Sequence, residues 1–322
     1  AAMVGSEANG AWMMRPDNQT LQGIAYVILA AASFATLDTT TKFVSYAVPF
    51  AVVMWFRFFF QIVTMLGWLK LTRGSVRMAS NNLRLQMYRG GLLTASSILA
   101  YFSLKLIPVA DFTALMMLTP LIMTVVAATS LQEPISPLRW VLVLMGFVGA
   151  IVVIRPGHET FTWASLIPLI LVGTSTGFQI LTYRLAQVDD AMTTHWFTGL
   201  IGLATATFTL PFVATDGLQM WQQSGLSLGV LLAALLIIAV MATVGHGALI
   251  MGYSRAPVAT LTPYLYAQIP FAVLGGWLVF SHKLDGWTAL GIGIIALSGV
   301  LGTWVAARER RADVRVDRKS VV

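Results

Sequence analysis

Ten long apolar stretches make up most of this 322-residue chain. Each is about as long as a helix rising 1.5 Å per residue must be to cross a hydrocarbon layer ~30 Å thick. The chain is 10% charged, whereas soluble domains carry about 25% charged residues. We therefore predict an all-α integral membrane protein with ten transmembrane helices, at about residues 21–44, 50–71, 84–106, 109–131, 138–155, 163–185, 192–214, 226–253, 258–281 and 286–307.

Lysine and arginine are distributed unevenly between the connections. With the N-terminus placed inside, fifteen of the twenty basic residues fall on the inner side and four on the outer side, while Arg57 lies within the second stretch. Because cytoplasmic loops are enriched in these residues, both termini are predicted to be cytoplasmic, in the plasma (bacterial inner) membrane. The basic clusters flank apolar stretches, which predicts contacts with anionic lipid and not with nucleic acid. The first eighteen residues are mixed and polar, so no cleavable signal peptide is expected.

Short motifs recur at a nearly constant offset. Pro108-Val109-Ala110 returns as Pro257-Val258-Ala259, 149 residues on, and Trp140 with Gly146 returns as Trp287 with Gly293, 147 residues on. A duplicated unit of five crossings must insert its second copy upside down, as many secondary transporters do. We predict two inverted five-helix repeats around a central cavity, with the chain divided into an N-terminal tail (1–18), a first repeat (19–156), a second repeat (157–307) and a basic tail (308–322).

These motifs, with Leu118-Thr119-Pro120, Glu133 and Gly149 in the first half and Pro270, Gly291 and Gly299 in the second, resemble the drug/metabolite transporter superfamily in its ten-crossing, EamA-type branch. The sequence departs from that pattern at His282-Lys283, where the family often has an acidic residue. Within the branch it looks most like the aromatic amino acid exporters of the YddG type. The resemblance implies a cavity lined by crossings 1, 3, 4, 6, 8 and 9, with crossings 5 and 10 at the periphery, and export by alternating access.

Charged residues inside the first two stretches are the first candidates for function, because charges in lipid face cavities or partners. Asp38 shares a helical face with Phe34 and with Thr41 or Lys42. It is interpreted either as a contact for a substrate ammonium or a proton site, or as one half of a structural pair with Lys42. Arg57 is assigned a structural role.

Aromatic rings and neutral hydrogen-bonding groups dominate the remaining polar positions. Rings stack on rings, while hydroxyls and amides hold a carboxylate or an ammonium. Phosphates would call for inward clusters of Arg and Lys. The predicted substrate is therefore an amphipathic solute with a ring, most simply an aromatic amino acid, and a drug or organic cation is the alternative. The predicted substrate-binding residues are Phe34, Asp38, Ser97, Tyr101, Thr119, Phe178, Gln179, His246, Tyr264 and Gln268.

Two further roles are predicted for particular residues. Pro120 and Pro270 occupy related positions in the two repeats and would bend their helices, so they are interpreted as gating residues. His246, the repeat counterpart of Ser97, could titrate near neutral pH and couple transport to protons, or simply bond a neighbouring helix.

Enzymatic activity is not expected, although Gly173-Thr174-Ser175-Thr176-Gly177 fits a nucleophile-elbow pattern that would make Ser175 the nucleophile of an intramembrane hydrolase. That elbow needs a strand, and none is plausible in this stretch. The same residues form a small-residue packing face. A channel or receptor is the third class considered. The chain has no cysteine and no ATP-binding motif, and we expect a monomer with no metal or cofactor.

Overall fold

The computed structural model describes residues 18–72, 79–119, 121–122, 125–126, 136–155, 162–185, 188–212, 214–256, 261 and 264–320. Within these ranges the chain is helical and contains no strand. The helices are α1 (Asn18–Val44), α2 (Phe50–Thr72), α3 (Leu83–Leu106), α4 (Val109–Met116), α5 (Pro137–Ile154), α6 (Ile167–Leu185), α7 (Ala191–Thr209), α8 (Ala214–Ser224), α9 (Leu228–Tyr253), α10 (Gln268–Phe280) and α11 (Gly286–Ser320).

Several of these helices are membrane spans by length and composition. Among the described residues, α1, α2, α5, α6 and α9 are each long and apolar enough to cross a bilayer, and α7 with α8 forms a pair bent by 82°. Shorter apolar helices cover residues 268–280 and 286–302. The protein is therefore an all-helical, multi-pass membrane protein, while the count of ten crossings stays a prediction.

Most helix ends lie within a few residues of the predicted positions, because the sequence marks them chemically. Ser136 and Ser227 begin α5 and α9 by accepting hydrogen bonds from the backbone N–H groups three residues on. Pro137 follows directly at the first helical position, where its missing N–H costs nothing. Arg155 ends α5 in the left-handed conformation.

Two helices differ from the prediction. The loop expected after the seventh stretch contains α8, which leaves the line of α7 at a sharp angle. The last helix does not end near residue 307, because α11 continues to Ser320 through the segment that the sequence suggested as a basic tail.

Helix contacts occur in matched sets. The α1–α9 contact has its counterpart in α6–α3, and the α9–α2 contact in α3–α7, while α2 packs on α7 and α5 on α11. The α5–α11 contact is close, because a Cβ added to Gly291 would lie 2.8 Å from the carbonyl oxygen of Gly149. Such a pattern is what an approximate two-fold relation between the halves would produce. Helices α1, α2, α3, α4, α6 and α9 enclose a cavity.

Breaks interrupt the fourth and ninth stretches at related points. Helix α4 ends at Met116 and a turn follows at residues 117–118, while the chain turns at residues 266–267 before α10 begins. The carbonyl oxygen of Met117, freed by its turn, accepts a hydrogen bond from the Tyr266 hydroxyl at 3.3 Å. Residues 117 and 266 stand 149 apart, which is the offset of the repeated motifs. The two single helices predicted at 109–131 and 258–281 are thus interrupted in the described residues.

Polar contacts hold the helix ends together on both membrane faces. Where α1 ends, Lys42 is buried and donates at 2.7 Å to the carbonyl oxygens of Leu104 and Ile107, which close the end of α3. The pairing of Asp38 with Lys42 that the spacing allowed is therefore not formed. The positive charge of a lysine at this position is stabilised by the negative end of the α3 helix dipole. Lys42 fixes α1 to α3.

Asp189 performs the corresponding task on the opposite face. Its carboxylate accepts hydrogen bonds from the Ser80 hydroxyl at 2.5 Å, the Asn81 backbone N–H at 2.8 Å and the Gln86 amide at 2.9 Å. Partial desolvation raises the pKa of this carboxyl, but the three sets of hydrogen bonds outweigh it and leave the pKa lowered. Asp189 thereby ties the start of α3 to the connection between α6 and α7.

Candidate functional site

A chamber lies between the helices near the middle of the bundle. Its wall comes from α1, α2, α3, α4, α6 and α9, with Thr119 beyond α4 and with Leu265 and Gln268 at the α10 end. The chamber has a volume of ≈ 180 Å³. Residues of α5, α7 and α11 do not line it in the described part of the chain.

Rings form one side of the chamber. The imidazole of His246 on α9 lies between two phenyl rings, with ring centres 4.9 Å from Phe34 and 5.8 Å from Phe178, both edge to face. Gly245 lets α9 approach Phe34, since a Cβ there would lie 2.8 Å from that ring. Edge-to-face packing of this kind stabilises ring clusters beyond their buried area. The chamber therefore offers a solute ring an aromatic wall.

A buried arginine provides the strongest charge on the lining. Arg57 on α2 is 5% exposed, and it donates to the Ser97 hydroxyl at 3.0 Å and contacts His246 Nε2 at 2.7 Å. Its Nε has no hydrogen-bond partner in the described part of the chain. Sequence reasoning assigned Arg57 a structural role and left it out of the site. The signal was present, because a charged residue in a crossing marks a functional site by default.

Asp38 is the acidic residue among the described lining residues. Its carboxylate accepts a hydrogen bond from the Gln268 amide at 3.1 Å. It interacts electrostatically with Arg57, but the one ion pair found in the described chain joins Arg155 and Asp285 at 2.6 Å, away from the chamber. In the described chain, Asp38 and Arg57 therefore do not form a salt bridge with each other. Each forms hydrogen bonds with uncharged neighbours instead.

Amides complete the polar lining. The Tyr253 hydroxyl, deep between α9 and α6, donates to Gln179 Oε1 at 3.1 Å. This bond leaves the Gln179 amide N–H groups to donate, while Gln268, whose amide nitrogen serves Asp38, keeps its oxygen to accept. The chamber therefore presents donors and acceptors at different points around one ring-lined space.

Nine of the ten predicted substrate-binding residues line this chamber, namely Phe34, Asp38, Ser97, Tyr101, Thr119, Phe178, Gln179, His246 and Gln268. Tyr264 does not, since its side chain is exposed at 37%. Tyrosine spacing alone cannot distinguish the two sides of a helix that is broken at residues 266–267. The Tyr101 hydroxyl is already used, as it donates to the carbonyl oxygens of Ser45 and Val48. Tyr101 can offer a solute only its ring.

The structure describes only one of the two predicted gating prolines. Pro120 lies outside the described residues. Pro270 is the third residue of α10 and follows the turn at residues 266–267. In a first helical turn the missing N–H of proline breaks no hydrogen bond, so Pro270 begins a helix instead of bending one. The bend itself lies just before it.

Arg89 supports the aromatic wall from behind. It is 1% exposed on α3, and its guanidinium lies 4.5 Å from the ring centre of Phe178. Its Nε donates to Thr182 at 2.7 Å, and Nη1 donates to Thr198 and to the Thr194 carbonyl. These bonds join α3 to α6 and α7. Sequence reasoning counted Arg89 among loop charges and missed it, because the predicted start of the third stretch placed it near a membrane face.

Ser175 lines the chamber as well, but no base is bonded to it in the described chain. The Nε2 of His246 contacts Arg57, and the Nδ1 of His195 contacts Gln61 at 3.3 Å. The arrangement lacks the base–nucleophile hydrogen bond that a hydrolase requires. A ring-lined, charge-bearing chamber enclosed by membrane helices is the kind of site that a membrane transporter uses.

Comparison with known proteins agrees with this class. Residues 21–155 match the EamA-like transporter family. The riboflavin transporter of Vibrio cholerae is 29% identical over 92% of this chain and 98% of its own length. The S-adenosylmethionine uptake transporter of Rickettsia felis is 24% identical over 85% of this chain and 90% of its own. One solved crystal structure superimposes with a TM-score of 0.62 at 18% identity, covering 90% of this chain and 98% of that one.

Residues 21–155 thus match the EamA-like transporter family of the drug/metabolite transporter superfamily, and these relatives are named as transporters and not as enzymes. The resemblance found in the sequence is confirmed at this level. These relatives are named for riboflavin and S-adenosylmethionine, so the narrower likeness to aromatic amino acid exporters stays a prediction.

Proposed function

We propose that the protein is a secondary transporter that moves a flat, acceptor-rich aromatic solute through the chamber by alternating access, with riboflavin as the first substrate to test. The observation that carries this proposal is the ring wall of Phe34, Phe178 and His246 facing polar groups that are not paired into salt bridges. Riboflavin has a planar ring edged with carbonyl and N–H groups and carries no charge. The match to a riboflavin transporter over nearly the whole chain supports the same choice.

Counterflow in proteoliposomes tests the proposal. Vesicles loaded with unlabelled riboflavin should take up labelled riboflavin faster than empty vesicles or vesicles without protein. Phe178→Leu should slow exchange, because it removes a stacking surface worth about 0.5–1.5 kcal/mol. The matched control is Phe208→Leu, since Phe208 is 73% exposed at the end of α7. No riboflavin exchange, or equal rates in the two variants, would contradict the proposal.

Aromatic amino acids are the second candidate. The separate positions of Asp38 and Arg57 favour them, because one end could hold an ammonium and the other a carboxylate. Labelled tryptophan in the same vesicles distinguishes the two candidates. Export, the direction suggested by the sequence, is tested with inside-out and right-side-out vesicles under an imposed substrate gradient.

The membrane arrangement is part of the proposal. The lysine and arginine distribution supports a bacterial inner-membrane location with both termini cytoplasmic, and the matched helix contacts support two inverted repeats. Because the chain has no cysteine, single cysteines report topology cleanly. Ser6→Cys should resist a membrane-impermeant maleimide in intact cells, whereas Ser227→Cys, at the exposed start of α9, should react. Labelling of Ser6→Cys would refute the orientation.

A further inference from the structure

We propose that Arg57 and His246 form an acceptor-recognition site in the chamber, which binds a carbonyl or carboxylate oxygen of the solute and discriminates against organic cations. This inference deepens the proposed function, since it rests on the chamber being the place where the solute binds. It concerns the chemical class of solute and not riboflavin in particular.

The contact between the two side chains fixes the form of the histidine. A guanidinium only donates hydrogen bonds, so His246 Nε2, 2.7 Å from Arg57 Nη2, must accept. A neutral imidazole that accepts at Nε2 carries its proton on Nδ1. His246 is therefore a neutral ring with an Nδ1–H donor. A second proton would turn Nε2 into a donor facing a guanidinium, which argues against the proton-coupling role considered for this residue.

Two buried donors are then left without a partner among the residues that the structure describes. They are Arg57 Nε and His246 Nδ1, on side chains 5% and 8% exposed. Buried polar groups are nearly always hydrogen-bonded, and an unpaired one raises the free energy of the protein. Both side chains line the chamber. The Arg57 guanidinium also keeps a second N–H on each of Nη1 and Nη2, beyond those that contact Ser97 and His246. An oxygen of the solute beside these groups is the partner that their chemistry calls for.

The positive charge around the ring wall also favours an acceptor or anionic group in the solute. Arg57 is on the lining, and Arg89 lies over the ring of Phe178, which is also on the lining. Both guanidinium groups are buried, and no carboxylate in the described chain forms an ion pair with either. Asp38 balances only one of the two charges. In a medium of low dielectric constant, the excess positive charge attracts an anion and repels a cation.

Three ligands that share one ring test this proposal. Indole-3-acetate is an anion, tryptophan a zwitterion and tryptamine a cation near neutral pH. Isothermal titration calorimetry on the purified full-length protein in detergent should show indole-3-acetate binding at least about tenfold more tightly than tryptamine, the ratio that one charge-assisted hydrogen bond gives. Tryptophan should fall between them. Equal binding of the acid and the amine, tighter binding of the amine, or no binding of the acid would overturn the proposal.

Substitutions of Arg57 test whether this residue causes the preference for the acid over the amine. Arg57→Gln should bring the ratio of the two dissociation constants close to one. Arg84→Gln, which removes the same charge from the exposed start of α3, should leave the ratio unchanged. Arg57→Lys should keep the preference for the acid, because the charge stays, but weaken riboflavin binding about tenfold, since one ammonium cannot replace the fork that contacts Ser97 and His246.

If Arg57→Gln does not fold, the wild-type ranking and the Arg57→Lys variant still decide the question. The outcomes also separate this inference from the proposed function. Loss of riboflavin counterflow with the acid–amine ratio intact would refute riboflavin as substrate and leave the acceptor site standing. Riboflavin counterflow with no preference for the acid would refute the acceptor site alone.

Discussion

The contact of Arg89 with Thr182 provides the sharpest test of what holds the chamber in shape. Thr182→Val keeps the size and branching of the side chain and removes only the oxygen that accepts from Arg89 Nε at 2.7 Å. Both side chains are almost fully buried, at 1% and 0% exposed, so water cannot replace the lost acceptor. A buried donor left unpaired costs about 1–3 kcal/mol, and more when it is charged.

We therefore expect Thr182→Val to lower the free energy of unfolding by about 3 kcal/mol, which is about a hundredfold in the unfolding equilibrium. The assay is reversible unfolding in mixed micelles with rising SDS, followed by intrinsic tryptophan fluorescence. Solute affinity should fall too, because Arg89 lies over Phe178 on the chamber wall.

Thr205→Val is the matched control. Both threonines donate to the carbonyl oxygen four residues back in their own helix, at 2.7 Å for Thr182 and 2.9 Å for Thr205. Of these two threonines, only Thr182 also accepts a hydrogen bond from a buried arginine in the described chain. The difference between the two variants thus isolates the Arg89 contact. Equal stabilities would refute the reasoning that this buried charge depends on its hydroxyl acceptor.

Three further predictions concern stability. Gly202→Ala would place a methyl group 2.4 Å from the Phe58 ring and should cost about 1–3 kcal/mol; an unchanged Tm in detergent would contradict this. Asp189→Asn should lower the Tm at neutral pH. Because folding lowers the pKa of Asp189, the difference in Tm between the variant and the wild type should be largest above about pH 4 and should shrink below it. A difference that grows in acid would contradict this prediction. Gly299→Ala, whose Cβ would overlap the Tyr266 hydroxyl, should make the turn before α10 more susceptible to proteolysis, with Gly302→Ala as the unhindered control.

The apolar pattern predicted an all-helical membrane protein correctly, because length and hydrophobicity largely decide whether a helix can lie in lipid. It could not predict the interruptions at residues 117–118 and 266–267. Both segments are apolar on each side of the turn, so hydropathy does not mark it; the nearest sequence signals are Pro120 and Pro270, which follow the two turns and were predicted to bend these helices. The turns depend on tertiary contacts such as the bond from the Tyr266 hydroxyl to the Met117 carbonyl oxygen.

Polar residues in the crossings predicted most of the chamber lining for the same reason, since a polar group in lipid must face inward. The errors come from residues whose partner is distant in sequence. Lys42 donates hydrogen bonds to carbonyl oxygens more than sixty residues away. The short spacing between Asp38 and Lys42 therefore suggested a pair that the structure does not form. Arg57 and His246 are 189 positions apart, and no local pattern could show that they meet.

The contacts of Ser97 and His246 with Arg57 show how a fold with the predicted duplication could have a single charged site. Ser97 and His246 stand 149 apart, which is the offset of the repeated motifs, and both contact the same guanidinium. Each supplies an acceptor, so both halves of the predicted repeat can serve this role with different residues. The cation itself has no such counterpart, because the position 149 beyond Arg57 is the buried Ala206. Two arginines facing each other at mid-bilayer would repel and would double the cost of desolvation. If the solute binds as we propose, one acceptor end needs only one cation, and this would account for the asymmetry at position 57.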